Sequence, residues 1–340
     1  MAVTSRQPGG AHDVARGADG AASRNLLGGV MRLKELSILV VTIAAAVYFT
    51  LTTSTFATID NFHTIAQYLA PWTIVAAGEV MLLICGEIDL SAGFVYTLSP
   101  FILMIFFNNG APLLLALIGA VAASAVIGLL NGFIRTRFNI PSFITTLGMA
   151  FLLQGISLIV SNGSPVAAPS GGWVVHVFGG ARWSELLWTL AIVVFMQTLL
   201  SATRFGVHTT ATGGNPIGAA ETGIRVARVK VVNFALTSTL AGFAGILDGL
   251  RVGSFDPTNG GFDTMFLAVA SAVIGGTALL GGSGTVVGAF LGALLLGIVY
   301  DGFTLTGVSA NAFDVVLGIA ILIAMLLNVY VTVLRKRAAR

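Results

Sequence analysis

Stretches of about 20 predominantly apolar residues recur near 36–56, 64–85, 89–107, 112–134, 142–161, 185–203, 229–252, 264–281, 284–305 and 312–334. Each is long enough to cross the hydrocarbon core of a bilayer as a helix. With charged residues at 9%, against roughly 25% in a soluble domain, and a mean hydropathy of +0.94, the chain reads as an all-α polytopic membrane protein. About ten transmembrane helices are expected. Pro71, Pro100 and the Gly275-Gly276 pair predict that some of them are broken.

The 17 Lys and Arg residues define an orientation. If both termini are cytoplasmic, all but Arg182 and Arg251 fall on that side, including Arg135, Arg137, Arg204, Arg225, Arg228 and Lys230 in short loops. The basic balance (pI ≈ 9.3) therefore marks membrane edges, and nucleic-acid binding is set aside. The outer side receives 161–184 and 253–263, Gly- and Pro-rich loops with Trp173, Trp183 and Phe255.

Residues 1–34 lack hydrophobic periodicity and are expected to form a disordered cytoplasmic tail. Residues 35–334 form the transmembrane domain, with a basic cytoplasmic tail at 335–340. The long preceding tail makes the first apolar run an uncleaved span rather than a signal peptide. Cys85 is the one cysteine, so it has no internal disulfide partner, and its apolar setting suits a buried, inert thiol.

One segment, 204–228, is a polar island. Within it Gly214 precedes Asn215, an N-cap residue, then Pro216, suited to the first helical position, and Gly223, suited to a left-handed stop. A cytoplasmic helix of about two turns over 215–223 is predicted, carrying Ala219 and Glu221, with Ile217, Ala220 and Ile224 on one small apolar face. The plainer reading of the segment is an ordinary connecting loop.

At an offset of 170, Asn131-Gly132-Phe133 meets Asp301-Gly302-Phe303, Thr136 meets Thr306, Phe143 meets Phe313, and Leu147-Gly148 meets Leu317-Gly318. These segments run in opposite directions under the proposed orientation, the pattern of an inverted five-plus-five repeat. The Gly-rich run 274–297 lacks both a Rossmann context and a phosphate loop. Gly128, Gly132, Gly288, Gly292 and Gly297 are read instead as close-packing positions. Any ATPase must then be a separate subunit.

Glu79 and Asp248 lie deep in apolar spans, where an uncompensated carboxylate costs at least ~2.5–3.5 kcal/mol on insertion scales. Hydrogen bonds that fix helix positions are the favoured explanation, and a proton relay is the sharper alternative. Asp301 and Asp314 sit near predicted span ends, where interfacial water is expected to solvate them. No histidine has metal-ligand spacing and no catalytic constellation is evident, so no catalytic, metal or cofactor site is assigned to this chain.

Gly86-Glu-Ile-Asp-Leu-Ser-Ala-Gly93 resembles a stretch of the permease subunits of ribose-, galactose-, arabinose- and xylose-type ABC importers. The resemblance continues through Asn131-Gly132, then Ile140-Pro-Ser-Phe-Ile-Thr-Thr-Leu-Gly148 with Pro141 and Phe143, then Arg204-Phe-Gly and Gly213-Gly-Asn-Pro. It ends at Val273-Ile-Gly-Gly-Thr277 with Gly281, Gly282 and Gly284. One position departs: Glu87 stands where the usual pattern has its second glycine, which adds charge close to Asp89 and leaves polyols or related solutes open beside sugars.

The resemblance implies a permease dimer, of two copies or with a close relative, in a bacterial inner membrane. It implies delivery of the solute by a periplasmic or extracytoplasmic binding protein. A cytoplasmic ABC ATPase pair using ATP-Mg would grip the 215–223 helices. Gly86, Glu87, Asp89, Ser91, Asn131, Pro141, Phe143, Gly275 and Gly276 are the family-motif candidates for the translocation path. An ion-coupled secondary transporter and a passive small-solute channel remain the alternatives.

Overall fold

The computed structural model describes residues 35–309 and, apart from 320, 324 and 325, residues 312–326. The expected tails at 1–34 and 335–340 lie outside the described residues. Among the described residues, seven helices are long and apolar enough to span a bilayer: α1 (Glu35–Thr52), α2 (Ile59–Ile84), α4 (Leu113–Phe138), α5 (Ser142–Ser161), α7 (Ser184–Ala202), α10 (Val226–Val252) and α12 (Val286–Leu305). Three shorter apolar helices, α3 (Ala92–Asn108), α11 (Gly261–Ile274) and α13 (Ala312–Ile323), complete the ten predicted segments. At 1.5 Å per residue, α11 reaches only about 21 Å, short of a ~30 Å hydrocarbon core.

Helix α2 is apolar on every side and is correspondingly central: 89% of its most hydrophobic window is buried, against 17% for α1. Around it pack α7, α10, α11 and α12, while α3 and α4 cover the far side of α10. The contacts depend on missing side chains. A Cβ on Gly78 would lie 2.6 Å from Thr237 Cα, and one on Gly128 would lie 2.3 Å from the Phe234 carbonyl. Gly132, Gly288 and Gly292 are equally tight, as small residues at helix crossings must be, whereas Gly297 has ordinary clearance.

Breaks occur at glycine and not at proline. Pro71 and Pro100 lie inside continuous α2 and α3, contrary to expectation. Irregular backbone is found instead at 85–91, where Gly86 has φ +75°, and at 275–285, where Gly276, Gly281 and Gly282 all have positive φ. A left-handed turn reverses the chain at little cost only when no Cβ is present.

Two pairs of helices related by the offset of 170, α2 with α10 and α3 with α11, are in contact and antiparallel. Gly78 and Cys85 of the α2 end meet Thr237 and Asn233 of α10 respectively, and Gly93 and Thr97 of α3 meet Met265 and Asn259 at the α11 end. The offset pairs α2 with α10, α3 with α11, α4 with α12 and α5 with α13. It fails for α1, which falls on the polar island rather than on α7, so the helix ranges correspond for four helices of each half, and the matching residues lie in α4 and α5.

The two loops expected on the outer side are joined. Strands β1 (Val166–Ala167) and β2 (Ser254–Phe255) pair antiparallel, Val166 opposite Phe255. Helix α6 (Gly172–Val175) and a single wide turn (His176–Gly180) follow β1.

Candidate functional site

The polar island forms two helices, α8 (Arg204–Gly214) and α9 (Pro216–Glu221). Asn215 caps α9 through a 3.0 Å bond from the Gly218 amide, and Pro216 occupies the first turn. The end is a complete Schellman turn: the Gly223 amide donates to Ala220 O and the Ile224 amide to Ala219 O, with Gly223 at φ +86°. Helix α9 thus starts and stops at the expected residues, Asn215 and Gly223, and Ile224 lies just past it, half-buried. Ala219 is buried against the body, whereas Ile217 is 73% exposed and Ala220 and Glu221 are also exposed.

The sequence reading missed α8, which turns the predicted loop into a strut. Its N-cap is Thr203, whose hydroxyl accepts from the Gly206 amide. At its far end a Cβ on Gly213 would lie 1.6 Å from Ile84 O, and the Gly282 amide donates to that same carbonyl at 2.8 Å. The polar helices thus seat on the last turn of α2 and on the glycine turn 281–282. Repeated Gly-Gly pairs at 213–214 and 281–282 were the available signal.

A second cluster is built on the irregular backbone after α2. Asp89 is fully buried; its Oδ1 accepts from the Ser91 amide (2.9 Å), the Ser91 hydroxyl (2.6 Å) and Asn131 Nδ2 (3.4 Å). Its Oδ2 accepts from the Ser238 hydroxyl at 3.3 Å. Glu79 Oε2 accepts from the Asp89 amide at 3.5 Å, while Glu79 Oε1 has no partner among the described residues. The Leu90 amide donates to Thr146 and the Ile88 amide to Ser142, which fixes the loop on the first turn of α5.

Glu87 lies at the edge of this cluster. Its Oε1 accepts from Arg135 Nε (2.8 Å), in the last turn of α4, and from Lys230 Nζ (2.5 Å), near the start of α10. Burial acts to raise this carboxyl, but the two cations outweigh it and hold it below its ordinary value. Both basic loops meet on one carboxylate, so they lie at the same end of the molecule, as the charge pattern required.

The third cluster lies at the opposite end of α10. Asp248 Oδ2 accepts from the Tyr96 hydroxyl (2.6 Å) and Asn259 Nδ2 (2.9 Å), and its Oδ1 meets Arg251 at 2.5 Å. Arg251 Nε also lies 2.9 Å from Glu185 Oε2, a second ion pair on the same guanidinium. Asp301 is likewise buried and accepts from Asn61 Nδ2 at 2.7 Å, contrary to the expected interfacial solvation; Asp314 is exposed.

Glu87, Asp89, Ser91 and Asn131 are thus brought together, with Glu79 beside them. Within the single chain they face one another rather than an open channel. Pro141 and Phe143 lie on the exposed outer face of the α5 start, and Gly275 packs against the Gly288 backbone beside Gly276. Arg135, Lys230, Ser238, Tyr96, Asn259 and Glu185 were not anticipated. For Ser238, Tyr96 and Glu185 the signal was a polar residue in an apolar span, which identifies a partner-seeking group without naming the partner; Arg135, Lys230 and Asn259 lay in expected loops and carried no such signal.

Residues 61–325 match the family described as branched-chain amino acid transport system / permease component. The xylose/arabinose import permease protein XylH of Sulfolobus acidocaldarius is 38% identical over 312 residues, covering 88% of this chain and 86% of the relative. The ribose import permease protein RbsC of Escherichia coli K12 is 33% identical, covering 87% and 94%, and the autoinducer 2 import system permease protein LsrC of Salmonella paratyphi B is 33% identical, covering 73% and 72%. No solved structure matches. The apolar, glycine-broken helices and this family match together define a multi-pass membrane transport protein. The chain belongs to this permease family.

Proposed function

We propose that this chain is the membrane-spanning subunit of an ATP-driven, binding-protein-dependent importer that moves a monosaccharide or polyol across the bacterial inner membrane. The relatives' names supply the solute class: xylose and arabinose, ribose, and autoinducer 2. The chain itself supplies the place where force enters. Helix α9 is capped at both ends, keyed by α8 and Gly213 onto the end of α2, and presents exposed Ile217 and Ala220. This observation carries the reading, because a rigid knob with an apolar tip can be driven by a partner, whereas a loose loop absorbs the motion.

In this reading the basic end is cytoplasmic and two ATPase subunits holding ATP-Mg receive α9 of each permease in a dimer. The β1–β2 face is extracytoplasmic and receives the binding protein. ATP closure then displaces α9, α8 and the joined ends of α2 and α10. The permease performs no chemistry; ATP hydrolysis belongs to the partner.

The test is co-purification with the ATPase together with uptake of labelled D-xylose, L-arabinose, D-ribose and xylitol. Burying Ile217 contributes about 1.5–3 kcal/mol, so Ile217→Asp is expected to insert normally yet lose both the ATPase and uptake. Ala220→Arg is expected to behave alike. Normal assembly and uptake in both variants would sink the assignment.

A further inference from the structure

The Glu87 carboxylate joins three elements that no single helix connects. Its own backbone is tied to α2, since the Glu87 amide donates to Leu82 O at 3.0 Å just past the left-handed Gly86. Its side chain reaches Arg135 at the end of α4 and Lys230 on α10. Lys230 stands in the second turn of α10, six residues past Ile224, where the Schellman turn after α9 ends. Two residues beyond Glu87 is Asp89, the centre of the buried hydrogen-bonded cluster.

The Glu87 side chain is 2% exposed, Lys230 13% and Arg135 19%. In such a setting water does not replace a lost partner, and removing one charge leaves the others uncompensated. Two cations converge on one oxygen, so loss of Glu87 also turns attraction between α4, α10 and the loop into repulsion. The contact is stiff in both senses: it resists separation and resists neutralisation.

We propose that Glu87 is a positioning residue of the transport cycle: its ion pairs with Lys230 and Arg135 carry the displacement of the α9–α10 junction into the 85–91 loop and thence to the Asp89–Ser91–Asn131 cluster. This inference rests on the permease reading above. It assigns to the side chain that departs from the family's usual glycine the role of a link between the driven end of α10 and the irregular segment. Without the link, the loop keeps its ties to α2 and α5 and the Ser238–Asp89 hydrogen bond farther along α10, but it no longer follows the α9–α10 junction directly.

The experiment uses the assembled permease–ATPase complex in a Cys85→Ser background and measures maleimide labelling, with no transported solute required. A cysteine at the half-buried Ile88 reports the loop; a cysteine at exposed Ala220 reports ATPase docking. In the otherwise native protein, trapping with ATP and vanadate is expected to change the labelling rate at Ile88→Cys at least about threefold, as a shift in the population of two loop states would. In Glu87→Gln and in Lys230→Gln that change is expected to vanish, while Ala220→Cys stays protected and membrane levels stay normal. Glu87→Asp, which keeps the charge, is expected to restore part of the response. Lys230→Gln leaves Glu87 paired with Arg135, so it reports even where Glu87→Gln assembles poorly. An unchanged nucleotide response in both variants, or no response in the native background, overturns the link. Absence of protection at Ala220→Cys overturns the permease–ATPase reading itself, and the link with it.

Discussion

The Tyr96 hydroxyl donates to Asp248 Oδ2 at 2.6 Å and thereby joins short helix α3 to the last turns of α10. The same carboxylate holds Asn259 of the loop leading into α11 and Arg251 one turn further on, which in turn meets Glu185 of α7. Four segments share one buried ionic centre. Asp248 was singled out in the sequence as a costly intramembrane acid, and its partners explain how it is tolerated: each carboxylate oxygen has at least one donor.

Tyr96→Phe removes one donor and leaves the rest of the packing intact. A hydrogen bond to a charged acceptor contributes about 1.5–3 kcal/mol. The variant is expected to unfold correspondingly earlier in a detergent-solubilised thermal or denaturant titration. A change under a few tenths of a kcal/mol would mean that the hydroxyl is not held by Asp248 in solution.

Two adjacent glycines give a sharper contrast. A methyl on Gly213 would collide with Ile84 O at 1.6 Å, whereas a methyl on Gly214 meets nothing within 4 Å. Overpacking of this kind costs about 1–3 kcal/mol or more. Gly213→Ala is therefore expected to unseat α8 from α2 and lower uptake strongly, while Gly214→Ala transports normally. Equal behaviour of the two would show that α8 does not seat on the α2 end.

Orientation is tested by thiol labelling in a Cys85→Ser background. The natural choice at the basic end is Glu221, which is exposed. Glu221→Cys is expected to react with an impermeant maleimide only from the cytoplasm, and Thr258→Cys only from outside. Reversed labelling would invert the chain in the membrane.

Glu87 also predicts a pH dependence. Its carboxyl is held below its ordinary value in the folded protein, so the folded state binds this proton less readily than the unfolded state does. The ion pairs therefore stabilise fully above the unfolded value, about pH 4.3, and that stability is lost as pH falls through the lower folded value. Between pH 5 and pH 3 the native protein is expected to lose more stability than Glu87→Gln. Parallel acid titrations of the two would show that Lys230 and Arg135 do not hold this carboxylate.

The number and order of membrane segments, the charge asymmetry and the caps of α9 were legible along the chain, because each depends on local quantities. Span length follows from hydrocarbon thickness, and Asn215, Pro216 and Gly223 act on backbone groups within four residues of themselves. Even the paired halves left a trace, since α2, α3, α4 and α5 recur at one offset. Where the chain breaks was only half legible: glycine and proline both signal a break, but Pro71 and Pro100 sit in helices whose neighbours hold them, and the glycine turns are where the backbone reverses.

The partners of the buried charges were decided by tertiary structure alone. Glu87 and Lys230 are 143 residues apart, and Tyr96 and Asp248 are 152 apart. Hydrophobicity states that a carboxylate in an apolar span needs a partner, but burial cost is the same whichever donor arrives. The choice was made by helix contacts at Gly78, Gly128 and Gly132, where backbones meet because no side chain separates them, and those contacts set which polar atoms come within reach.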